Sequence, residues 1–367
     1  MNEDKSSRYH RLKRRGEVLE RVWAVLLLGG LLATGLNGSL RDWTSAAVGG
    51  SIAWSVVIYA GGLLLIHEVG ALPLSFLVCY RVERRFGLSA ESPASWLRGQ
   101  IKSLGLGLVL AAAAASVVYA CIRWSPGLWW LPAGLFFALA LAGLTNLAPV
   151  LVLPLFYSVR PLEQEPLRDR LLRLAERAGT RVLGAYEWGL GPRSRKANAA
   201  LAGLGATRRI LISDTMLQEY SEEEIEVVLA HEMAHHVHGD IWKGLLFETG
   251  LVLCGFYLAA RLLQDAGPRL GLTGPSDLAG MPLLVLGAGA VSLLMLPLSR
   301  AISRRCERSA DRFALELTRN PSAFISAMRR LGAQNLAEEQ PSPLVRWLFY
   351  SHPPMAERIA AARAFER

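Results

Sequence analysis

Residues 221–240 read SEEEIEVVLAHEMAHHVHGD and open with the signature of a helix N-terminus. Ser221, followed three residues later by Glu224, is a capping box, in which each side chain bonds the backbone N–H of the other residue. Apolar residues from 225 to 230 supply a face that can be buried. We therefore expect the four histidines at the end of this stretch to lie on a helix and not in a loop.

Two of these histidines have the spacing of zinc ligands. On a helix, His231 and His235 are one turn apart and lie on one face, so both imidazoles can reach the same metal ion. Glu232 lies beside them, placed to act on a water molecule at the metal rather than to ligate, and this HExxH pattern predicts a zinc peptidase. His236 falls off that face and His238 lies about 10 Å along it, so we expect both to be structural.

A third ligand has to come from elsewhere, because Ile241 stands where a metzincin has its third histidine. Residues 304–314, RRCERSADRFA, have a helix-forming composition and place Glu307 and Asp311 four residues apart on one face. A glutamate ligand, together with a carboxylate that orients a ligating histidine, is usual in zinc sites. From these residues alone, a solvated face paired with nearby arginines is the alternative.

The histidine stretch runs directly into one of several long apolar segments. Of the 367 residues, 52% are hydrophobic, and the mean hydropathy is +0.28. A membrane-spanning helix needs about 20 mainly apolar residues. Six candidate spans result: 22–38, 46–80, 104–121, 127–150, 244–263 and 281–298. The second is long for a single crossing, and His67, Glu68 and Pro73 interrupt it, so one span or two are both open.

The distribution of charged residues predicts the orientation of the chain in the membrane. The net charge is +9, with 35 arginines and 5 lysines that concentrate in alternate segments between the apolar runs. The positive-inside rule then places both termini and residues 151–240 in the cytoplasm. The arginine bias favours a GC-rich bacterial genome and hence the inner membrane. No nucleic-acid-binding motif is present, and four scattered cysteines without a CxxC pair argue against disulfides and a thiolate zinc site.

We therefore predict a mainly α, polytopic membrane protein with about six transmembrane helices and a cytoplasmic α+β domain of zincin type. Residues 165–179 have helical spacing, 181–188 read as a strand, and 197–213 read as two strands joined by a glycine-containing turn. The predicted order is a basic cytoplasmic N-terminus (1–21), an N-terminal membrane region (22–150), a cytoplasmic domain with the HExxH helix (151–240), a transmembrane hairpin (241–300) and a cytoplasmic C-terminal part (301–367).

Several motifs in order resemble one family. They are YRVERRFGLSAESPASWLRGQIKSL (80–104), NLAPVLVLPLFYSVRPL (146–162), SRKANAALAGLGATRRILISDTML (194–217), HEMAH (231–235), ERSAD (307–311) and SHPPMAERI (351–359). The chain resembles the integral-membrane zinc proteases typified by the type I CAAX prenyl endopeptidases, which share their soluble-domain motifs with heat-shock membrane zinc proteases. The resemblance covers nearly the whole chain.

The resemblance implies a role for each matching position. His231, His235 and Glu307 become the ligands of one Zn²⁺ per chain, and Glu232 becomes the general base. Asp311 becomes the partner of a ligating histidine.

Four further positions carry weaker implications. Asn198 and Ala199 match the family motif on the strand thought to line the substrate cleft. His352 and Arg358 match the terminal HPxxxER pattern, with a role either in catalysis and substrate binding on the oxyanion side or in structure.

The expected function is hydrolysis of membrane-associated or prenylated CAAX-type protein and peptide substrates, by attack of a water molecule at zinc with help from Glu232. The expected partners are a peptide or protein substrate and the lipid bilayer, with no nucleic acid, and the oligomeric state is open. A general quality-control protease and an inactive membrane scaffold or chaperone are the alternatives. The large eukaryotic members have seven spans and this chain six, which leaves the closure of an internal chamber open. The expected bacterial source leaves prenyl recognition open.

Overall fold

The computed structural model describes residues 4–203 and 205–365. Residues 1–3 and 366–367, at the ends of the predicted terminal regions, and Leu204, in the predicted turn, lie outside this range. A set of long helices is joined at one end to a small mixed sheet with helices packed on it. The predicted class, a mainly α polytopic protein with an α+β domain and an HExxH helix, is confirmed.

The N-terminal part is helical as far as the sheet. Its helices are α1 (Lys5–Thr34), α2 (Leu36–Ala47), α3 (Ile52–Ser75), α4 (Val82–Arg85), α5 (Pro93–Trp124), α6 (Trp130–Leu151) and α7 (Leu153–Phe156). A π-helical turn, Phe76–Arg81, joins α3 to α4 without a break. Between α1 and α2 the chain bends by 82° at Gly35, whose φ of 75° is readily adopted by glycine.

The rest of the chain contains the sheet and the remaining helices. In order these are β1 (Ser158–Pro161), α8 (Glu165–Arg177), β2 (Ala185–Gly189), β3 (Ala199–Ala202), β4 (Arg209–Ser213), α9 (Asp214–Glu219), α10 (Glu222–Val237), α11 (Asp240–Asp265), α12 (Met281–Thr318), α13 (Pro321–Gln334), α14 (Pro343–Phe349) and α15 (Met355–Phe365). The capping box of Ser221 and Glu224 is formed at the start of α10, with both reciprocal bonds in place.

The predicted apolar runs are helical over most of their length. Among the described residues, four segments are long and apolar enough to cross a membrane: Ile52–Arg85, Pro93–Trp124, Asp240–Asp265 and Leu278–Thr318. The bent pair α1–α2 makes a fifth if it counts as one span. The apolar part of α6, Trp130–Thr145, is shorter. The run at 46–80 falls largely within a single continuous helical segment.

A buried carboxylate fastens the helices at the end away from the sheet. Asp277, in the loop between α11 and α12, accepts hydrogen bonds from the guanidinium of Arg41 at 2.9 Å and from the backbone N–H groups of Thr273 and Ala279 at 2.9 and 3.0 Å. Asn37 donates to the Ala279 carbonyl at 2.8 Å. Because an unpaired charge would be costly at this depth, these contacts fix α2 against the α11–α12 loop.

The sheet has the order β1-β2-β4-β3. β2 and β4 are parallel, and the other two pairs are antiparallel. Strand β1 was not predicted from sequence. Helices α8, α10, α13 and α15 enclose a core with fully buried Leu171, Ile210 and Phe324. This core holds α10 against the sheet and leaves β3 at the sheet edge.

Helix α12 is continuous over 38 residues, from the apolar run into the ERSAD motif. Glu307 lies nine residues beyond Leu298, the end of the predicted span. At 1.5 Å per residue, this separation is about 14 Å along the helix. The continuous helix therefore sets the height of Glu307 relative to the apolar segments.

Candidate metal centre

Helix α10 presents its histidines to one point. The rings of His231 and His235 are nearly perpendicular, with centroids 5.1 Å apart. His231 is buried, and His235 is partly buried at the end of the helix. The one-turn spacing read from the sequence therefore brings both Nε2 atoms to the same side.

Glu307 reaches the same point from α12. Its Oε2 atom lies 3.2 Å from Nε2 of His231, and its Oε1 atom lies 3.5 Å from Nε2 of His235. One ligand atom from each of the three residues lies within 4.8 Å of the others. The three residues that the resemblance implied as ligands are thus brought together, although 72 positions separate His235 from Glu307.

These donors suit a zinc ion. Two imidazole nitrogens and one carboxylate oxygen are the protein ligands of many catalytic zinc sites. The Oε2 atom of Glu307 is buried and makes no well-aligned hydrogen bond, even with Nε2 of His231 at 3.2 Å, and a buried charged oxygen in that state calls for a cation. His231, His235 and Glu307 would therefore hold the metal.

A second carboxylate orients each histidine. Asp311 Oδ1 lies 2.9 Å from Nδ1 of His231, and Asp240 Oδ2 lies 3.0 Å from Nδ1 of His235. Such contacts select the tautomer whose Nε2 is free for a metal. Asp240 was not predicted from the sequence, although it is the last residue of the 221–240 stretch. Gly239, with a φ of 67°, ends α10 and turns the next residue back towards His235; a glycine after the histidines marks a helix end in the sequence but not the direction that the chain then takes.

Arg358 lies behind the metal centre. Its guanidinium donates to both Asp311 oxygens, at 2.9 and 2.5 Å, and its Nη2 lies 3.4 Å from Nδ1 of His231. Arg358 is 7% exposed. Burial disfavours its charge, but the Asp311 carboxylate outweighs that effect and raises the pKa of Arg358. Its main contact is therefore with the group that orients His231.

A cleft of about 430 Å³ opens in front of the ligands and contains the remaining predicted residues. Glu232, Asn198, Ala199 and His352 all line it. Burial raises the pKa of Glu232, as suits a group that has to take up and release a proton near neutral pH. His352 places Nε2 3.3 Å from Oε1 of Glu307.

The other two histidines of the quoted stretch make structural contacts. His236 places Nε2 2.9 Å from the Leu201 carbonyl and so links α10 to β3. His238 lies 3.3 Å from the Ser309 hydroxyl and packs edge-on against Phe313. Neither belongs to the three-residue group above.

The affinity for zinc should increase with pH. Burial opposes protonation of His231, but the carboxylates of Asp311 and Glu307 outweigh it and raise its pKa to about 9. Below that pH the metal-free protein carries a proton on His231 that zinc has to displace. We expect the apparent zinc affinity to increase by about tenfold per pH unit between about pH 7 and pH 9. Competition with a chelator of known affinity measures this, and an affinity independent of pH would contradict it.

The two halves of the chain match two known family models. Residues 161–366 match the model described as peptidase family M48. Residues 2–158 match the model described as CAAX prenyl protease N-terminal, five membrane helices.

Individual proteins are similar over most of the chain. A protein of Bacillus subtilis, "Uncharacterized metalloprotease YhfN", is 31% identical over 340 residues, which are 92% of this chain and 79% of that protein. "CAAX prenyl protease 1" of Saccharomyces cerevisiae is 28% identical over 331 residues, covering 83% of this chain and 71% of the relative. The crystal structure of S. mikatae Ste24p superimposes with a TM-score of 0.85, at 24% identity, over 98% of this chain and 87% of that one.

Proposed function

Because this chain belongs to peptidase family M48, with the N-terminal region of the CAAX prenyl proteases, and is an integral membrane metalloprotease, we propose that it hydrolyses peptide bonds of membrane-attached substrates in the cleft beside Glu232. The observation that carries this proposal is the convergence of His231, His235 and Glu307 next to the partly buried carboxylate of Glu232 in an open cleft. One zinc ion per chain would be held by those three residues.

Each residue of the cleft has a chemical task in this proposal. A zinc ion held by the three ligand residues would supply Lewis-acid polarisation of the scissile carbonyl and activation of water. Glu232 takes a proton from the attacking water and passes it to the leaving amine, which its raised pKa supports. His352 donates a hydrogen bond to the carbonyl oxygen as that atom gains negative charge. Asp311, Asp240 and Arg358 hold the two ligating histidines in place.

The substrate would bind as an additional strand. β3 pairs with β4 on one side, from Ala199 opposite Ile212 to Ala202 opposite Arg209, and no described strand covers its other edge. Asn198 and Ala199 line the cleft at that edge. An extended peptide pairing with β3 would gain main-chain hydrogen bonds with little dependence on its sequence.

The cleft would face the cytoplasm close to the bilayer. Basic residues follow the apolar segments on the side that carries the sheet, which supports this orientation. Glu307 lies about 14 Å along α12 beyond the apolar run, which supports a reaction site just outside the membrane. Substrates would therefore be proteins held at that surface, including prenylated CAAX-type proteins. All predicted site positions are filled and assembled, which argues against an inactive scaffold.

Comparing the protein termini in membranes from cells with the wild-type protein and cells with Glu232→Gln tests the proposal. We expect new N-termini that appear with the wild type and are absent with the variant. Purified wild-type protein should cleave peptides spanning those sites, and matched prenylated and unmodified peptides would show whether a lipid is read. Identical sets of termini and no cleavage by the purified protein would overturn the proposal in favour of the scaffold.

A further inference from the structure

The N-terminal helix α1 touches the C-terminal part of the chain at the edge of the cleft. Arg14 Nη1 donates to Oε2 of Glu338 at 2.6 Å, and the Tyr350 hydroxyl donates to the same oxygen at 2.5 Å. Arg14 Nη1 also lies 3.5 Å from that hydroxyl. We call these three residues the α1 bridge. All three line the cleft that contains Glu232.

The charged side chains of the α1 bridge are largely buried, so each depends on its partner. The side chain of Glu338 is 9% exposed and that of Arg14 is 18% exposed. Removing either partner would leave a largely buried charge without its counter-charge. The bridge has a second anchor one turn earlier on α1, where Nε2 of His10 lies 2.8 Å from the Leu336 carbonyl. Leu336 has a φ of 50°, which is unusual for a residue other than glycine.

The α1 bridge leads directly to His352. Tyr350 is two residues before it in the chain, and its carbonyl accepts a hydrogen bond from Arg304 at 2.7 Å. Arg304 is on α12, one turn before Glu307. Tyr350 is therefore held at both ends, by α1 through its hydroxyl and by the ligand-bearing helix through its backbone.

His352 itself has few other restraints. The described contacts of its ring are with the Ser351 hydroxyl, 2.8 Å from Nδ1, and with Glu307, 3.3 Å from Nε2. The side chain is 57% exposed. Its place in the cleft thus depends on where the preceding residues hold the loop.

We infer that Arg14, on the helix that leads into the membrane, is a positioning residue for the peptidase reaction, and that the α1 bridge sets the place of His352 over the metal centre. The inference rests on the proposed function. It makes α1 a part of the catalytic apparatus and not just an anchor. A bridge that merely stabilises the fold is the rival explanation.

A positioning role and a purely stabilising role for Arg14 predict different kinetics. If Arg14 positions His352, Arg14→Gln should lower kcat by about 10- to 100-fold, since displacements near 1 Å in a site have that effect. KM and zinc content should change little, and Arg14→Lys should recover part of the rate. In a His352→Ala background, Arg14→Gln should lower kcat further by less than about twofold, because the residue it positions is already gone.

The experiment uses the full chain in detergent or lipid, with the wild type compared first to Glu232→Gln. A wild type no faster than Glu232→Gln would refute the proposed function itself. Arg15→Gln removes the neighbouring, exposed arginine of the same helix and should have wild-type kinetics.

Two results would overturn the inference while the proposed function stands. One is a wild-type kcat for Arg14→Gln, and the other is a loss of kcat that is equally large in the His352→Ala background. If Arg14→Gln does not fold, Tyr350→Phe replaces it in the same comparison, since it removes a single hydroxyl from the α1 bridge and keeps the ring.

Discussion

The Glu232→Gln protein is expected to bind one zinc ion per chain and to hydrolyse peptides about 10²- to 10⁴-fold more slowly than the wild type, which is the usual contribution of a general base. Glutamine keeps the size of the side chain and removes the group that accepts a proton. Glu232 lies in the cleft but outside the three-residue ligand group, so the metal should stay bound. The loss should appear in kcat, because the substitution leaves the proposed substrate contacts at the β3 edge unchanged.

Metal analysis and steady-state kinetics on purified protein measure both parts. Glu223→Gln is the matched control, because Glu223 is an exposed glutamate on the same helix that pairs with Arg170 at 3.2 Å. That control should be fully active. A Glu232→Gln protein with wild-type kcat would show that another group is the base, and one that loses zinc would show that Glu232 is needed for metal binding.

Local patterns predicted the parts of the site that lie on one helix. The capping box located the start of α10, and helical periodicity placed His231 and His235 on one face. The same reasoning put Glu307 and Asp311 together on a second helix. Predicting that the two helices meet at one site needed the family resemblance, because periodicity relates residues within a helix and not between helices.

Contacts that depend on the conformation of a turn or on segments far apart in the chain could not be predicted. Asp240 reaches His235 because Gly239 adopts a positive φ, and a glycine in sequence does not reveal which conformation it will take. Arg14 and Glu338 are 324 residues apart, and charge counting assigned Arg14 to the basic cytoplasmic N-terminus. That assignment treats arginines as a group and carries no information on individual partners.

Arg358 shows how the structure sharpens a sequence-based role. The terminal motif suggested substrate binding or structure, and both uses remain chemically open to a guanidinium at the back of a cleft. Arg358 donates two charge-assisted hydrogen bonds to Asp311, and its side chain is almost completely buried. Both observations favour a role in holding Asp311 against His231. The two roles predict different outcomes for the same substitution.

Arg358→Ala is therefore expected to destabilise the protein by about 3–5 kcal/mol, the usual effect of removing one partner of a buried ion pair. It should also weaken zinc binding by about 10- to 100-fold, because Asp311 would lose the contact that holds it on Nδ1 of His231. Unfolding curves and zinc competition measure the two effects. Arg363→Ala, an exposed arginine on the same helix, should change neither. A variant with wild-type stability and zinc affinity but a raised KM would instead establish Arg358 as a substrate-binding residue.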